Sequence, residues 1–209
     1  MGEIEELIRR ARKTQNGFLD LQRAGDEVVA RHQPEESLRV AKTLFRSEAY
    51  QARCIAVFIL GRLARQSKVS LRFLRSHVSR DPDWRVQEIL AKAFDRYCAD
   101  RGYGDALPTI RGWLEDSSPN VRRAVTEGLR IWTSRPYFQD HPEMAIRLLS
   151  RLRSDASEYV RRSVGNALRD ISKKHGEEVA AELESWDVSE QPVLQTYRLA
   201  SRLLKRKGG

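Results

Sequence analysis

Apolar residues recur three and four positions apart through nearly the whole chain, and no segment alternates with period two. That is the pattern of helices with one buried stripe each. An amphipathic opening helix is predicted over residues 3–13, with Ile4, Leu7, Ile8 and Ala11 on one face. A second spans 18–31 and stops before His32-Gln33-Pro34; Pro34 then starts a third over 35–45. Helix 50–65 completes a first pair. Pairs follow at 69–78 with 84–98, 106–114 with 120–132, and 142–152 with 158–174, and a closing unit at 177–185 with 192–205. The joints inside the pairs (79–83, 115–119 and 153–157) are rich in acid, serine and proline, which satisfy free helix amides or fix φ at a helix start.

The second helices of the pairs share a phrase. It reads Ala52-Arg53-Cys54-Ile55-Ala56, Val86-Gln87-Glu88-Ile89-Leu90, Val121-Arg122-Arg123-Ala124-Val125 and Val160-Arg161-Arg162-Ser163-Val164, at intervals of 34, 35 and 39 residues. Such a period marks a helical solenoid, stacked helix pairs sharing one core. The expected fold is all-α, a right-handed superhelix of five to six helix pairs in one repeat domain over 1–209. Within it, 1–48 are N-terminal helices, 49–175 the core repeats, and 176–209 a capping unit with a basic tail. Aligned on the phrase, Ile55, Ile89, Ala124 and Ser163 form one column, Ala56, Leu90, Val125 and Val164 a second, and Leu60, Phe94, Leu129 and Leu168 a third; these read as packing. The column of Phe58, Lys92, Glu127 and Asn166 changes chemistry from unit to unit, which marks a face in use.

Composition sharpens this picture at few points. Of 209 residues, 40% are hydrophobic and 32% charged, which suits buried stripes with charged outer faces. Cys54 and Cys98 are far apart and read as buried or semi-buried thiols of a reducing cytosol; no apolar run suits a membrane span, and a charged helix opens the chain, so a cytoplasmic protein is expected. His32, His77, His141 and His175 are scattered without metal spacing, and no glycine-rich phosphate loop or nucleophile motif occurs, so no cofactor or metal is expected. Charge matters through its distribution. The net +9 includes an acid-free stretch from Ala49 to Arg80 carrying Arg53, Arg62, Arg65, Lys68, Arg72, Arg75 and Arg80, and a tail with Arg202, Lys205, Arg206 and Lys207. Several of these share helix faces, as a footprint for a polyanion does, although a solvated basic surface has the same composition.

Three segments resemble the bacterial alkylpurine DNA glycosylases of the AlkC and AlkD superfamily, which are HEAT-like helical solenoids. The run from Glu158 to Lys173 looks like the penultimate-repeat signature of both branches, with Asn166 and Asp170 in the AlkC form where AlkD has a tryptophan at the Asn166 position. The run from Asn120 to Arg130 is similar to the AlkC pattern of Val-Arg-Arg, Glu-Gly and Arg, and Trp84 with Glu88 four residues on follows AlkD. The resemblance covers about half the chain, from Arg80 to His175, and its mixture of branches implies a divergent member.

The resemblance implies excision of cationic alkylated purines. That chemistry needs carboxylates near the sugar to stabilise an oxocarbenium-like transition state and orient water, aromatic faces for the base, and arginines on phosphates. Glu127 and Asp170, with Glu88 contributing, are the candidate catalytic carboxylates. Trp84, Arg85, Arg122, Arg123, Arg130, Arg161, Arg162, Asn166 and Arg169 are candidate DNA or substrate contacts; Arg62, Arg65, Lys68, Arg72 and Arg75 are backbone candidates. Each has a plainer role open to it. Arg122 and Arg161 suit a structural ladder to Asp81, Asp116 and Asp155, whereas Arg123 and Arg162 lean towards DNA because a ladder needs one arginine per unit. Trp84 could pack at a helix start. Glu127 could pair with Arg123 or Arg130, and Asp170 with Lys173, Lys174 or Arg169. Trp113, Trp132, Trp186 and Tyr197 read as packing. The expected partner is duplex DNA, possibly alkylated, bound by a monomer with no membrane involvement. A non-catalytic DNA binder and a protein-interaction adaptor are the alternatives.

Overall fold

The computed structural model describes residues 2–14 and 17–204, so the basic residues Lys205, Arg206 and Lys207 and the end of the last predicted helix lie outside the described part. Thirteen α-helices and no strand occur among the described residues: α1 (Glu3–Ala11), α2 (Leu19–Arg31), α3 (Pro34–Leu44), α4 (Tyr50–Leu63), α5 (Lys68–Ser76), α6 (Trp84–Arg101), α7 (Leu107–Leu114), α8 (Pro119–Gly128), α9 (Pro136–Asp140), α10 (Pro142–Ser150), α11 (Glu158–Ser172), α12 (Gly176–Glu184) and α13 (Gln191–Ala200). Short 3₁₀ turns occupy Val78–Arg80, Trp132–Ser134 and Ser201–Leu203. Among the described residues no helix is long and apolar enough to cross a membrane. The chain divides into two compact units, residues 1–101 and 102–209.

In the first unit α4 is the hub, packed against α1, α2, α3, α5 and α6. Its run Cys54 to Gly61 is buried on every side, as a helix apolar all round must be. Gly61 lets α6 come close: a Cβ there would sit 2.8 Å from the Ala93 Cβ. In the second unit α11 takes that place, packing against α8, α10, α12 and α13. Here Gly165 is the point of closest approach, where a Cβ would lie 2.6 Å from the Leu199 Cβ and 3.0 Å from the Thr196 carbonyl. The three aligned core columns are buried throughout.

The joints meet the expectation at Asp83, which accepts from the Arg85 amide at the start of α6 at 2.9 Å, and at Pro119, which opens α8, but not at the serines. Ser118 and Ser157 stand at the N-caps of α8 and α11 without making a side-chain cap. The acid two residues earlier makes the turn instead. Asp81, Asp116, Asp155 and Asp187 each accept a hydrogen bond from the amide two positions on, at 2.7–2.9 Å. These are Asx-turns, which fix the corner before the helix begins.

The largest departure is at 120–132, where one helix is expected. Helix α8 stops at Gly128, Ile131 takes a left-handed conformation (φ 58°, ψ 51°), and a 3₁₀ turn and α9 follow. Leu129 and Trp132 keep helical spacing in sequence and both are buried, so periodicity alone carries through the break. The turn is anchored by Trp132 against Phe138, with ring centroids 4.9 Å apart. An exposed β-branched residue in the left-handed region is strained, and this one adjoins Arg130.

Candidate functional site

The arginine of each phrase turns back onto the joint before its own helix. The Arg53 Nη1 donates to the Ser47 and Glu48 carbonyls, that of Arg122 to Asp116 and Ser117, and that of Arg161 to Asp155 and Ala156. Gln87 holds the same position in α6 and donates to the Val78 and Asp81 carbonyls. The other guanidinium nitrogens reach the next repeat. Arg53 meets Asp81 at 2.6 and 3.2 Å, Arg122 meets Asp155 at 2.6 and 2.7 Å, and Arg161 meets Gln195 at 3.2 and 2.6 Å. Arg122 and Arg161 are therefore committed to a ladder, the plainer of their two roles. Of the three expected ladder acids, Asp81 and Asp155 receive Arg53 and Arg122, and Asp116 meets Arg122 through its backbone carbonyl.

Glu127 and Asp170 converge on one guanidinium. Because α8 ends at Gly128, Arg130 leaves the helix on the turn. Its Nη1 donates to Glu127 Oε1 at 3.0 Å and its Nε to Asp170 Oδ2 at 3.1 Å. The other Asp170 oxygen faces Lys173 Nζ at 3.1 Å and Arg169 Nη2 at 3.4 Å. Burial pushes the Asp170 carboxyl up, but hydrogen bonds from Lys173 and Arg130 with the charges of Arg169 and Lys173 outweigh it, and the group sits below its ordinary value. The Asp170 hydrogen bond, and after it the charge and hydrogen bond of Glu127, push the Arg130 guanidinium up against a smaller opposing effect of burial. The second Glu127 oxygen accepts from Ser163 Oγ at 2.9 Å. Ser163 belongs to a column read as packing, and its hydroxyl is the contact that reading missed. The available signal was a hydroxyl where the other repeats carry Ile55, Ile89 and Ala124.

The remaining candidates are scattered along their helices. Arg123 is 6% exposed and lies with its guanidinium carbon 4.2 Å from the centre of the Tyr159 ring, beneath a half-exposed tyrosine that the sequence reading left out. Arg162 is exposed, and no partner occurs for it among the described residues; Asn166 is half-buried. In the first unit, Trp84 is 62% exposed at the start of α6, and Glu88 is half-buried one turn on. Arg85 is held by both oxygens of Asp83 at 2.9 and 2.7 Å and stacks 3.4 Å from the Tyr50 ring centre; the Asp83 hydrogen bond chiefly raises its pKa. Of the backbone candidates, Arg62 is bound by both oxygens of Asp26 at 2.6 and 2.7 Å. Arg65, Lys68, Arg72 and Arg75 are exposed, the last three along α5. Cys54 and Cys98 are buried, and burial pushes the Cys54 thiol up to about 12, which removes it as a nucleophile. Among the described residues no group of three or more His, Cys, Asp or Glu side chains could hold a metal ion.

Comparison with known proteins agrees with this architecture. AlkD2 from Streptococcus mutans has a crystal structure that superposes with a TM-score of 0.93 at 44% identity, covering 97% of this chain and 99% of that one. The alkylpurine DNA glycosylase AlkC from Pseudomonas fluorescens, solved bound to DNA containing an abasic site analogue, matches with a TM-score of 0.52 at 26% identity. That match covers 95% of this chain and 60% of AlkC. YhaZ of Bacillus subtilis (strain 168) is 34% identical over 106 residues, 49% of this chain and 30% of YhaZ. The model of the family described as DNA alkylation repair enzyme matches residues 20–206. Sharing that match over most of its length, and the HEAT-like helical repeats of its relatives, the chain belongs to the DNA alkylation repair enzyme family.

Proposed function

We propose that this chain binds duplex DNA carrying cationic alkylated purines and hydrolyses their N-glycosidic bond as a monofunctional glycosylase. One observation carries the reading: carboxylates from adjacent repeats, Glu127 and Asp170, share the guanidinium of Arg130 and form one compact site. An N3- or N7-alkylated purine is already positive, so its bond to the sugar breaks with the electron pair leaving on a neutral base. An oxocarbenium-like sugar remains, to which water adds with loss of a proton to a carboxylate or to solvent. The protein must supply negative charge beside the sugar and an acceptor that orients the water. Asp170, kept ionised at neutral pH by its cationic neighbours, suits charge stabilisation rather than proton donation. Glu127 keeps lone pairs on both oxygens beyond its bonds to Arg130 and Ser163 and is the water-orienting group.

The exposed basic side chains take the phosphates: Arg162 in the second unit, and Arg65, Lys68, Arg72 and Arg75 in the first. Trp84 offers an exposed aromatic face to DNA, with Glu88 a further carboxylate beside it on α6. Arg122, Arg161, Arg62 and Arg85, held in internal ion pairs or hydrogen bonds, serve the scaffold in this reading.

The test is release of methylated purines from methylated duplex DNA by the full chain, with DNA binding followed in parallel. Glu127→Ala and Asp170→Ala should each lower release by about 100-fold or more with affinity within a few-fold. Release at the wild-type rate in both variants would sink the mechanism. A second reading has an observation of its own. Arg130 fills the gap between the carboxylates, and Lys173 and Arg169 neutralise Asp170 further, so the pair is also fit simply to hold α8, the turn and α11 together. A non-catalytic DNA binder of that kind would bind with steep salt dependence and release no base at any pH.

A further inference from the structure

We infer that Thr126 and Ser163 form a buried hydroxyl relay that aims the Glu127 carboxylate, which makes Ser163 a positioning residue of the site. The inference rests on Glu127 being the carboxylate that the reaction uses. Thr126 Oγ1 donates to Ser163 Oγ at 2.8 Å, and Ser163 Oγ donates to Glu127 Oε2 at 2.9 Å. The direction follows from proton count. Ser163 has one hydroxyl proton and Glu127 is a pure acceptor when ionised, so the Ser163 oxygen is left to receive the proton of Thr126. Thr126 has the Arg123 carbonyl as a second acceptor at 3.2 Å, the longer of its two choices.

Both hydroxyls stand where the fold calls for none. Ser163 shares its column with Ile55, Ile89 and Ala124, and Thr126, five positions after its anchor, shares its column with Val57, Ala91 and Gly165. Both are buried, Thr126 fully and Ser163 to 5% exposure, and a buried hydroxyl costs stability unless it is hydrogen-bonded. An apolar residue would pack there without that cost. The two exceptions meet each other, and they meet at the carboxylate. The last torsion of a glutamate is broad and two-fold, so a single donor leaves the carboxylate free to swing. Donors on opposite oxygens, Arg130 on Oε1 and Ser163 on Oε2, remove that freedom. Arg130 is half-exposed on a strained turn, whereas Ser163 is fixed in the core of α11, so the serine supplies the rigid half of the pair.

Ser163→Ala and Thr126→Val test this with side chains that other repeats already carry in the same columns. The carboxyl carbon resonance of Glu127, assigned with Glu127→Gln, is followed by NMR beside single-turnover release from methylated duplex DNA and DNA affinity. The expected result for Ser163→Ala is a displaced Glu127 resonance and release slowed about 10-fold at an affinity within two-fold. Thr126→Val should move the resonance in the same direction by less. An unmoved resonance in Ser163→Ala overturns the relay, whatever happens to thermal stability. A moved resonance with unchanged release overturns the positioning role. Should the wild type release no base, the proposed reaction fails, and the Glu127 resonance alone then decides whether the relay exists.

Discussion

Asp170 keeps only 6% of its side chain accessible and faces three cations, Arg130, Arg169 and Lys173. Its pKa lies below the ordinary 3.8 in the folded chain, so between those two values the unfolded state binds the proton more readily than the folded one. Folding stability therefore rises with pH across that window: the contribution is complete above about pH 5 and is lost as pH falls through the depressed value. Urea unfolding from pH 7 down to about pH 2 should show this loss in the wild type, and the component should be missing in Asp170→Asn. That variant should also be weaker by roughly 2 kcal/mol at pH 7, because three partly exposed cations lose their anion. Equal pH slopes in the two proteins would mean that the cations do not bear on Asp170. Glu127 was legible as a candidate because an acid set mid-helix near apolar residues needs a partner, and Asp170 because the family resemblance implies it. That one guanidinium bridges them was not, since Arg130 reaches Asp170 across 40 residues.

At the scale of elements, the arginines of α4, α8 and α11 link each helix to the joint behind it and to the following repeat, whereas Gln87 of α6 holds only its own joint. Arg122 does both: it closes the 115–119 joint through two carbonyls and ties α8 to Asp155 ahead of α11, with only 13% of its side chain exposed. Arg122→Ala leaves Asp155, whose side chain is only 4% exposed, without its cation and should cost roughly 3–5 kcal/mol in urea unfolding. Lysine should not restore it, because an ammonium cannot supply the forked geometry. A loss below about 1 kcal/mol, with DNA binding weakened instead, would return Arg122 to the phosphate contacts. The pairing of helices was readable from period and punctuation. The early end of α8 was not, because Leu129 and Trp132 reach the core from the turn as well as they would from a helix.

For the whole molecule the relevant quantity is charge. The seven basic residues of the acid-free stretch overstate what it offers a polyanion, because Arg53 and Arg62 are bound to Asp81 and Asp26. Lys68 and Arg72 lie exposed one turn apart on α5. If they contact phosphate, the Lys68→Ala/Arg72→Ala double variant should lower the magnitude of the slope of log K against log salt by about 2, with no preference among DNA sequences. Fluorescence anisotropy over about 50–200 mM salt reads this, and an unchanged slope would remove α5 from the DNA surface.

Periodicity and the recurring phrase carried the helices, the repeat pairs and the three core columns, because each is a property of neighbours within one turn or one repeat. The repeat alignment also marked Glu127, in the column that changes from unit to unit, whereas Asp170 was a candidate through the family resemblance. Which arginines are spent inside the protein, which carboxylates share a cation, and why Ser163 is not merely packing depend on contacts between side chains about one repeat apart. A one-dimensional pattern cannot hold that information. A hydroxyl or a guanidinium has the same letter whether it faces solvent, a carbonyl or a carboxylate, and folding alone chooses among them.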